Sequence, residues 1–326
     1  MKRRQFITLL GGTVAVWPLA ARAQQPALPV IGFLNGTGAD GYAPYLAAFR
    51  DGLKQSGYVE GENVAIEFRW AEGRYDRLPD MAADLVRRKV SVIVANTPAN
   101  LAAKKATDTI PIVFTTASDP VQIGLVPNLG RPAGNVTGIS QLNVEIGPKR
   151  LELARELMPA ATAVGFLVNP SDLSRAETLT KDAQAAAIPL RLRLYVLRAV
   201  TDAEIEAAFA GFAQLKAGVL VIGPDALFNG KSQLLAELAL RYAVPAIYQY
   251  NEFATAGGLI SYGGSIKESY RWAGIYTGRV LKGAKPADLP VQQSTKVELI
   301  VNLKTAKTLG VTVPLSLLGR ADQIIE

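Results

Sequence analysis

The sequence predicts an α/β protein of two similar, doubly wound parallel-sheet lobes joined by a hinge of several strands. Three observations predict it. Short β-branched apolar runs alternate with helix-period stretches along most of the chain, the pattern of stacked βα units around a parallel sheet. The series restarts near residue 163, where VGFLV at Val164–Val168 echoes VIGFL at Val30–Leu34. The strand ends also repeat one design, a small or polar residue followed by proline, at Thr97-Pro98, Asp119-Pro120, Asn169-Pro170 and Gly223-Pro224. A repeat of this length means duplicated lobes rather than a solenoid.

The chain opens with Lys2-Arg3-Arg4-Gln5-Phe6-Ile7, a twin-arginine start, then an apolar run to Leu19 and the A-x-A site Ala21-Arg22-Ala23. This predicts an export signal cleaved after Ala23 and a mature protein in the periplasm. The run is too short and too rich in Gly and Thr for a membrane anchor.

Val30–Leu34 reads as a buried strand ending at Asn35-Gly36, and Tyr45–Ser56 as a helix with Leu46, Phe49 and Leu53 on one face, stopped by Gly57. Ala65–Trp70 is predicted as a strand, Tyr75–Lys89 as a helix, Val90–Ala95 as a strand, and an Ala/Lys helix runs to Thr107. The stretch from Ile110 to Gly124 begins as a fourth strand and breaks into Thr115, Thr116 and Ser118 before Asp119-Pro120. A glycine-rich loop leads to Val136–Ser140. In the second copy, an Ala-rich helix runs to Ala187, and Leu190–Leu197, Val219–Ile222 and Val244–Tyr248 are strands. Thr201–Leu215 is a helix opened by a Thr201/Glu204 capping box. A strand within Gly257–Gly264, a helix at Ile266–Lys282, a strand at Lys296–Asn302 and a helix at Leu303–Leu309 complete the chain.

One repeat per lobe, with a tail too small for a third domain, means that the chain crosses between lobes more than once. The predicted organisation is a signal over 1–23, a first lobe over 28–139 plus about 263–288, and a second over 140–256 plus about 290–326. Crossings are expected at Thr137–Asn143, Ala254–Gly263 and Leu289–Thr295, the first two near glycines suited to a hinge.

The net charge of +7 misleads at first sight: +4 of it lies in the first 23 residues, leaving +3 for the rest. Those charges alternate in sign rather than forming a basic stripe, so no nucleic acid partner is expected. The chain has no cysteine and no histidine, which excludes disulfides, thiolate nucleophiles, imidazole bases and Cys/His metal sites; no metal or cofactor is expected. Gly223–Ser232 nearly matches a phosphate-binding loop, but Asp225 stands where the first glycine is required, and a carboxylate there repels phosphate. No dinucleotide fingerprint or nucleophile elbow is present. Asp119 and Glu252 are candidates for an acid/base pair, with nothing in the sequence that brings them together.

Ligands of open α/β sheets bind beyond the carboxyl ends of the strands. Each of the four proline-marked strand ends is expected to start a helix and aim its unpaired N–H groups there, favouring an anionic group. Asn35, Thr97, Pro98, Thr116, Ser118, Asn169 and Ser171 are the candidate polar and backbone contacts, and Asp119 and Asp225 the partners for a ligand ammonium. Tyr45, Phe228 and Tyr248, with Tyr42 and Tyr250, are the aromatics near these ends, placed to sandwich a flat or apolar ligand or to pack the lobe edges.

With these motifs the chain resembles the substrate-binding proteins of ABC transporters, and most of all the family with tryptophan- and tyrosine-type solute-binding members and a type I periplasmic binding fold. The resemblance is carried by Ala117-Ser118-Asp119-Pro120-Val121 with Gly124-Leu125-Val126, by Gly134-Asn135-Val136-Thr137-Gly138 and by Asn169-Pro170-Ser171. It continues through Ala256–Gly263 and Asn302–Lys307. It implies capture of a small solute, an amino acid or aromatic carboxylate, between lobes that close on it, and delivery to a membrane permease and its ATPase subunit. It also implies a monomer without enzyme activity, with Thr97, Ser118, Asp119, Asn169 and Ser171 at the ligand's head group. Gly223-Pro224-Asp225 and the bulky Tyr248-Gln249-Tyr250 depart from the family pattern. The alternative function is an exported ligand-binding subunit of a signalling system; an enzyme on the same scaffold is a third.

Overall fold

The structure is a computed structural model that describes residues 28–141, 143–215 and 218–326. The export signal assigned to residues 1–23 lies outside the described residues.

The first lobe is built from β1 (Val30–Asn35), α1 (Ala43–Gln55), β2 (Ala65–Trp70), α2 (Leu78–Arg87), β3 (Val92–Asn96), α3 (Ala99–Ala106), β4 (Ile112–Thr116) and β5 (Val136–Ser140). The chain then runs into α4 (Gly147–Leu157), β6 (Ala163–Val168), α5 (Leu173–Ala187), β7 (Arg193–Arg198), α6 (Asp202–Leu215) and β8 (Gly218–Ile222). There follow α7 (Ala226–Asn229), α8 (Ser232–Arg241), β9 (Ala246–Tyr248), α9 (Asn251–Thr255) and β10 (Ile260–Gly263). The tail contains α10 (Ile266–Leu281), β11 (Gln292–Gln293), β12 (Glu298–Asn302), α11 (Leu303–Leu309), α12 (Leu315–Leu318) and β13 (Gln323–Ile325).

Two sheets result. Read from one edge, the first runs β2-β1-β3-β4-β5-β11 and the second β7-β6-β8-β9-β10-β12-β13. The orders β2-β1-β3-β4-β5 and β7-β6-β8-β9-β10 are the same doubly wound path traced twice, the physical content of the sequence repeat. Among the described residues all strand pairs are parallel except β10–β12, where the return strand is antiparallel. The central strands are buried along their whole length, which is why they read as continuous apolar runs rather than alternating ones.

Local signals account for the helix starts. At α6, the Thr201 hydroxyl accepts from the Glu204 N–H at 3.2 Å, and the Glu204 carboxylate accepts from the N–H groups of Thr201 at 3.1 Å and Val200 at 2.8 Å. Asn302 caps α11 through the Thr305 N–H. The helix after Asn169-Pro170 begins later than the proline suggests, because Asp172 is its cap and takes the Arg175 N–H at 3.1 Å. Asp119-Pro120 starts no helix: the Asp119 carboxylate accepts from the N–H groups of Val121 and Gln122 and closes a turn.

The chain passes between the sheets after β5, after β10 and after β11. The last strand pairs with β5, so Gln292–Gln293 belong to the first sheet although the sequence assigns the tail from about 290 to the second lobe. Between the last two crossings, α10 lies along α1. Gly52 and Gly274 permit it: a β-carbon on Gly274 would stand 2.1 Å from the Phe49 carbonyl oxygen. At the crossings Arg150 of α4, 1% exposed, donates to the carbonyls of Asn143 at 3.0 Å and Tyr262 at 2.9 Å and to the Asn143 side-chain oxygen at 2.7 Å. No carboxylate is among these partners, and burial lowers the Arg150 pKa to about 10.

No helix among the described residues is long and apolar enough to cross a membrane.

Candidate functional site

The carboxyl ends of both sheets face each other, and a cavity of about 420 Å³, counted to its open side, lies between them. Its first-lobe wall is Asn96 and Thr97 at the end of β3, Thr115, Thr116 and Ala117 at the end of β4, and Tyr42 from the turn before α1. Gln141 at the first crossing and Ile266, Ser269 and Tyr270 of α10 form its back. The second lobe supplies Arg175 of α5, Pro224, Asp225 and Ala226 after β8, Asn229 and Tyr250.

The first-lobe end is an ordered polar floor. Asn35 and Asn96 end adjacent strands, and the Asn96 amide donates to the Asn35 side-chain oxygen at 3.1 Å and to the Tyr42 hydroxyl at 3.2 Å. Asn35 in turn donates to the Tyr270 hydroxyl at 3.3 Å. Burial raises the Tyr42 pKa to about 12 and lifts that of Tyr270 further, so both stay neutral phenols. Thr97 lies 3.0 Å from Thr116, oxygen to oxygen, and accepts from the Asn100 amide at 2.9 Å. The Thr116 oxygen accepts from Thr97 and from the Ser118 N–H, which leaves its own hydroxyl hydrogen for the cavity.

The second-lobe end carries the charges, Arg175 and Asp225. One Asp225 oxygen accepts from Tyr75 of the first lobe at 2.7 Å, from Asn169 at 2.9 Å and from the Leu227 N–H at 2.9 Å. Its other oxygen has no partner among the described residues. Burial pushes the Asp225 carboxyl above its usual range, while Asn169, Tyr75 and the Arg175 charge pull against that. Arg175 donates across the cleft to the Ser118 hydroxyl at 3.1 Å and to the Pro224 carbonyl at 3.4 Å. Tyr45 adds a further bridge between the lobes by donating to the Asn229 carbonyl at 3.4 Å.

Of the residues selected from sequence, Thr97, Thr116 and Asp225 line the cavity, and Asn35, Tyr45, Ser118 and Asn169 hold residues that do. Pro98 follows Thr97 through a cis peptide bond and opens α3. Four stand elsewhere. Asp119 spends its carboxylate on the turn after β4, and Ser171 is exposed on the approach to α5. Phe228 is fully buried, and Tyr248 stacks on Phe253 with its hydroxyl on the Leu235 carbonyl, so both fill core. The Asp119 and Glu252 pair does not form: Glu252 accepts from Ser265 and the Lys267 N–H instead. The selection missed Asn96, Gln141, Arg175, Asn229, Ser269 and Tyr270. Asn96 carried a legible signal, since it ends its strand as Asn35 does. Among the described residues no group of three His, Cys, Asp or Glu side chains is placed to hold a metal ion.

The family model for ABC transporter substrate binding proteins matches residues 30–325. A tyrosine-binding protein of Clostridioides difficile (strain R20291) is 29% identical over 263 residues, which span 80% of this chain and 75% of that protein. Among solved structures, an ABC domain from Streptococcus pneumoniae in complex with L-Trp is 26% identical with a TM-score of 0.77, over 92% of this chain and 100% of that one. The ligand-free, open structure of a substrate binding protein with adhesive properties from Clostridium difficile is 25% identical with a TM-score of 0.59, over 91% and 99%. At nearly equal identity this chain superposes better on the liganded neighbour than on the open one, in line with the bonds that bridge its cleft. With a match that runs through both lobes and all three crossings, the chain belongs to the ABC transporter substrate binding protein family.

Proposed function

We propose that this protein captures an amino acid, with an aromatic one preferred, between its lobes and delivers it to a membrane permease driven by an ATPase subunit. One observation carries the reading: among the described residues that line the cavity, a cation, Arg175, and a carboxylate, Asp225, stand with three phenols, Tyr42, Tyr250 and Tyr270. A zwitterion offers a carboxylate to the first and an ammonium to the second, and the rings offer a flat apolar surface. The L-Trp complex of the pneumococcal neighbour and the tyrosine-binding relative support this choice of ligand class. The ligand contacts we assign are Thr97, Thr116, Arg175, Asp225 and the three tyrosines, with Asn35, Ser118 and Asn169 orienting them. In this reading the ligand leaves unchanged, no metal or cofactor takes part, and a monomer works in the periplasm after cleavage behind Ala23.

The test is a thermal-shift screen of the mature chain with L-tyrosine, L-tryptophan and L-phenylalanine against tyramine, 4-hydroxyphenylpropionate and simple sugars. Ligand at a hundred times its Kd stabilises the native state by about 2.7 kcal/mol, so an aromatic amino acid should raise the melting temperature well above the controls. A response to sugars alone, or chemical conversion of the amino acid, overturns the proposal. Mass spectrometry of exported protein checks the mature start at Gln24.

A further inference from the structure

We propose that Gln141 is a positioning residue that couples the state of the cavity to lobe closure. The inference rests on the amino-acid reading only for the choice of probe. Gln141 is the first residue beyond β5, at the start of the first crossing, and it is 6% exposed while lining the cavity. Its backbone N–H is tied to the Thr116 carbonyl at 3.0 Å, which fixes the side chain's root to the first-lobe sheet.

The amide then reaches three ways. Its nitrogen donates to the Ser265 carbonyl at 3.2 Å and to the Ser269 hydroxyl. Ser265 stands at the second crossing, where it caps α10. The amide oxygen accepts from the Tyr250 hydroxyl of the second lobe at 2.7 Å. The orientation is forced by chemistry: a backbone carbonyl is an acceptor only, so the NH₂ must face Ser265 and the oxygen must face Tyr250. Both amide ends are therefore committed, one to the hinge and first lobe and the other to a phenol in the second-lobe wall.

Gln141, Tyr250 and Ser269 all line the cavity. Rotation of the second lobe about the crossings carries Tyr250 away from Gln141, and the buried amide oxygen then loses its donor. The closed arrangement alone satisfies every member of the set, and a ligand seated against Tyr250 and Ser269 holds it together. Such a network acts as a unit, so its members should not contribute independently.

The chain has no cysteine, so Asp51→Cys on α1 and Glu237→Cys on α8, both exposed, give a clean pair of spin labels, one on each lobe. Distance distributions are recorded for the full mature chain, for Gln141→Met, for Tyr250→Phe and for the double variant, with and without L-tyrosine or L-tryptophan. The expected result is a ligand-free population shifted toward longer distances in each single variant and at least tenfold weaker binding of the amino acid. The double variant should be no worse than the poorer single one. Gln141→Met with wild-type distances and affinity, or strictly additive losses, overturns the coupling. A wild-type chain that ignores both amino acids defeats the ligand reading, and the ligand-free distances still decide on Gln141. Tyr250→Phe, which removes one oxygen, keeps the test open if Gln141→Met fails to fold.

Discussion

Gly41 of the first lobe faces Gly230 of the second so closely that a β-carbon on Gly41 would stand 1.7 Å from the Gly230 carbonyl oxygen. Backbone meets backbone here, and no side-chain rotation relieves the clash. Gly41→Ala should therefore forbid the closed arrangement while sparing each lobe's core. Affinity scales with the fraction of molecules that can adopt the binding-competent state, so a tenfold or larger loss is expected, about 1.4 kcal/mol per decade. Calorimetry paired with small-angle scattering checks it, and wild-type affinity in Gly41→Ala would show that closure needs no such approach.

Asp225 gives a pH signature. Its carboxyl titrates above the usual carboxylate range because it is buried, so in the free protein it takes up a proton earlier than an exposed aspartate as pH falls. Binding of an ammonium requires the ionised form, so affinity should be full above the Asp225 pKa and fall as pH drops through it. Stability of the empty protein carries the opposite sign. The folded state holds this proton more tightly than the unfolded one, so the contribution is greatest below the unfolded value and is lost as pH rises through the folded pKa. Asp225→Asn should flatten both trends, measured by titration calorimetry and by melting curves across acidic pH. An affinity profile that keeps its acid limb in Asp225→Asn would move the titrating group elsewhere.

Arg150 is held without a counter-charge, by the carbonyls of Asn143 and Tyr262 and the Asn143 side chain. Removing the guanidinium leaves those acceptors buried and unpaired, at about 1–3 kcal/mol each before relaxation. Arg150→Met should lower the melting temperature by several degrees and loosen the junction of the first two crossings. Hydrogen exchange at Asn143 and Tyr262 is the local readout; unchanged protection there would mean that water replaces the guanidinium without loss.

Tyr248 separates what sequence can and cannot tell. Its place near Tyr250 at a strand end makes it a candidate ligand contact, yet Tyr250 lines the cavity while Tyr248 stacks on Phe253 with ring centroids 5.0 Å apart. Tyr248→Ala should cost about 3–5 kcal/mol of stability, as large aromatic truncations in a core do. Affinity of the fraction that remains folded should change little. Urea unfolding with parallel calorimetry distinguishes the two effects.

The fold was legible because its signals are local and repeated: VIGFL, from Ile31 onward, and VGFLV throughout are buried in parallel strands, and Thr201 with Glu204 forms the cap that its spacing announces. Strand ends also announced the cleft, through Thr97, Thr116 and Asp225. What escaped was set by tertiary direction. Arg175 sits in the first turn of the Ala-rich α5 and reads as a solvated charge, and only the helix's docking turns it across the cleft to Ser118. Tyr270 belongs to a helix whose apolar period reads as core, and its hydroxyl end emerges on the floor. Asp119 had the right composition beside a strand end and was consumed by its own turn.

Arg175 and Ser118 share a bond across the cleft, and ligands of different charge can divide its two roles. The guanidinium both latches the lobes, through the Ser118 hydroxyl at 3.1 Å, and supplies the cavity's positive charge. Ser118→Ala removes only the latch. It should weaken an amino acid and its decarboxylated amine by the same small factor, because closure costs the same for both. Arg175→Ala removes the latch and the charge together. Loss of a partner to a desolvated carboxylate costs about 2–5 kcal/mol, so L-tyrosine should weaken by two to three decades, while tyramine should weaken no more than in Ser118→Ala. Equal losses for L-tyrosine and tyramine in Arg175→Ala would reduce Arg175 to a latch and leave the ligand carboxylate to the Thr116 hydroxyl.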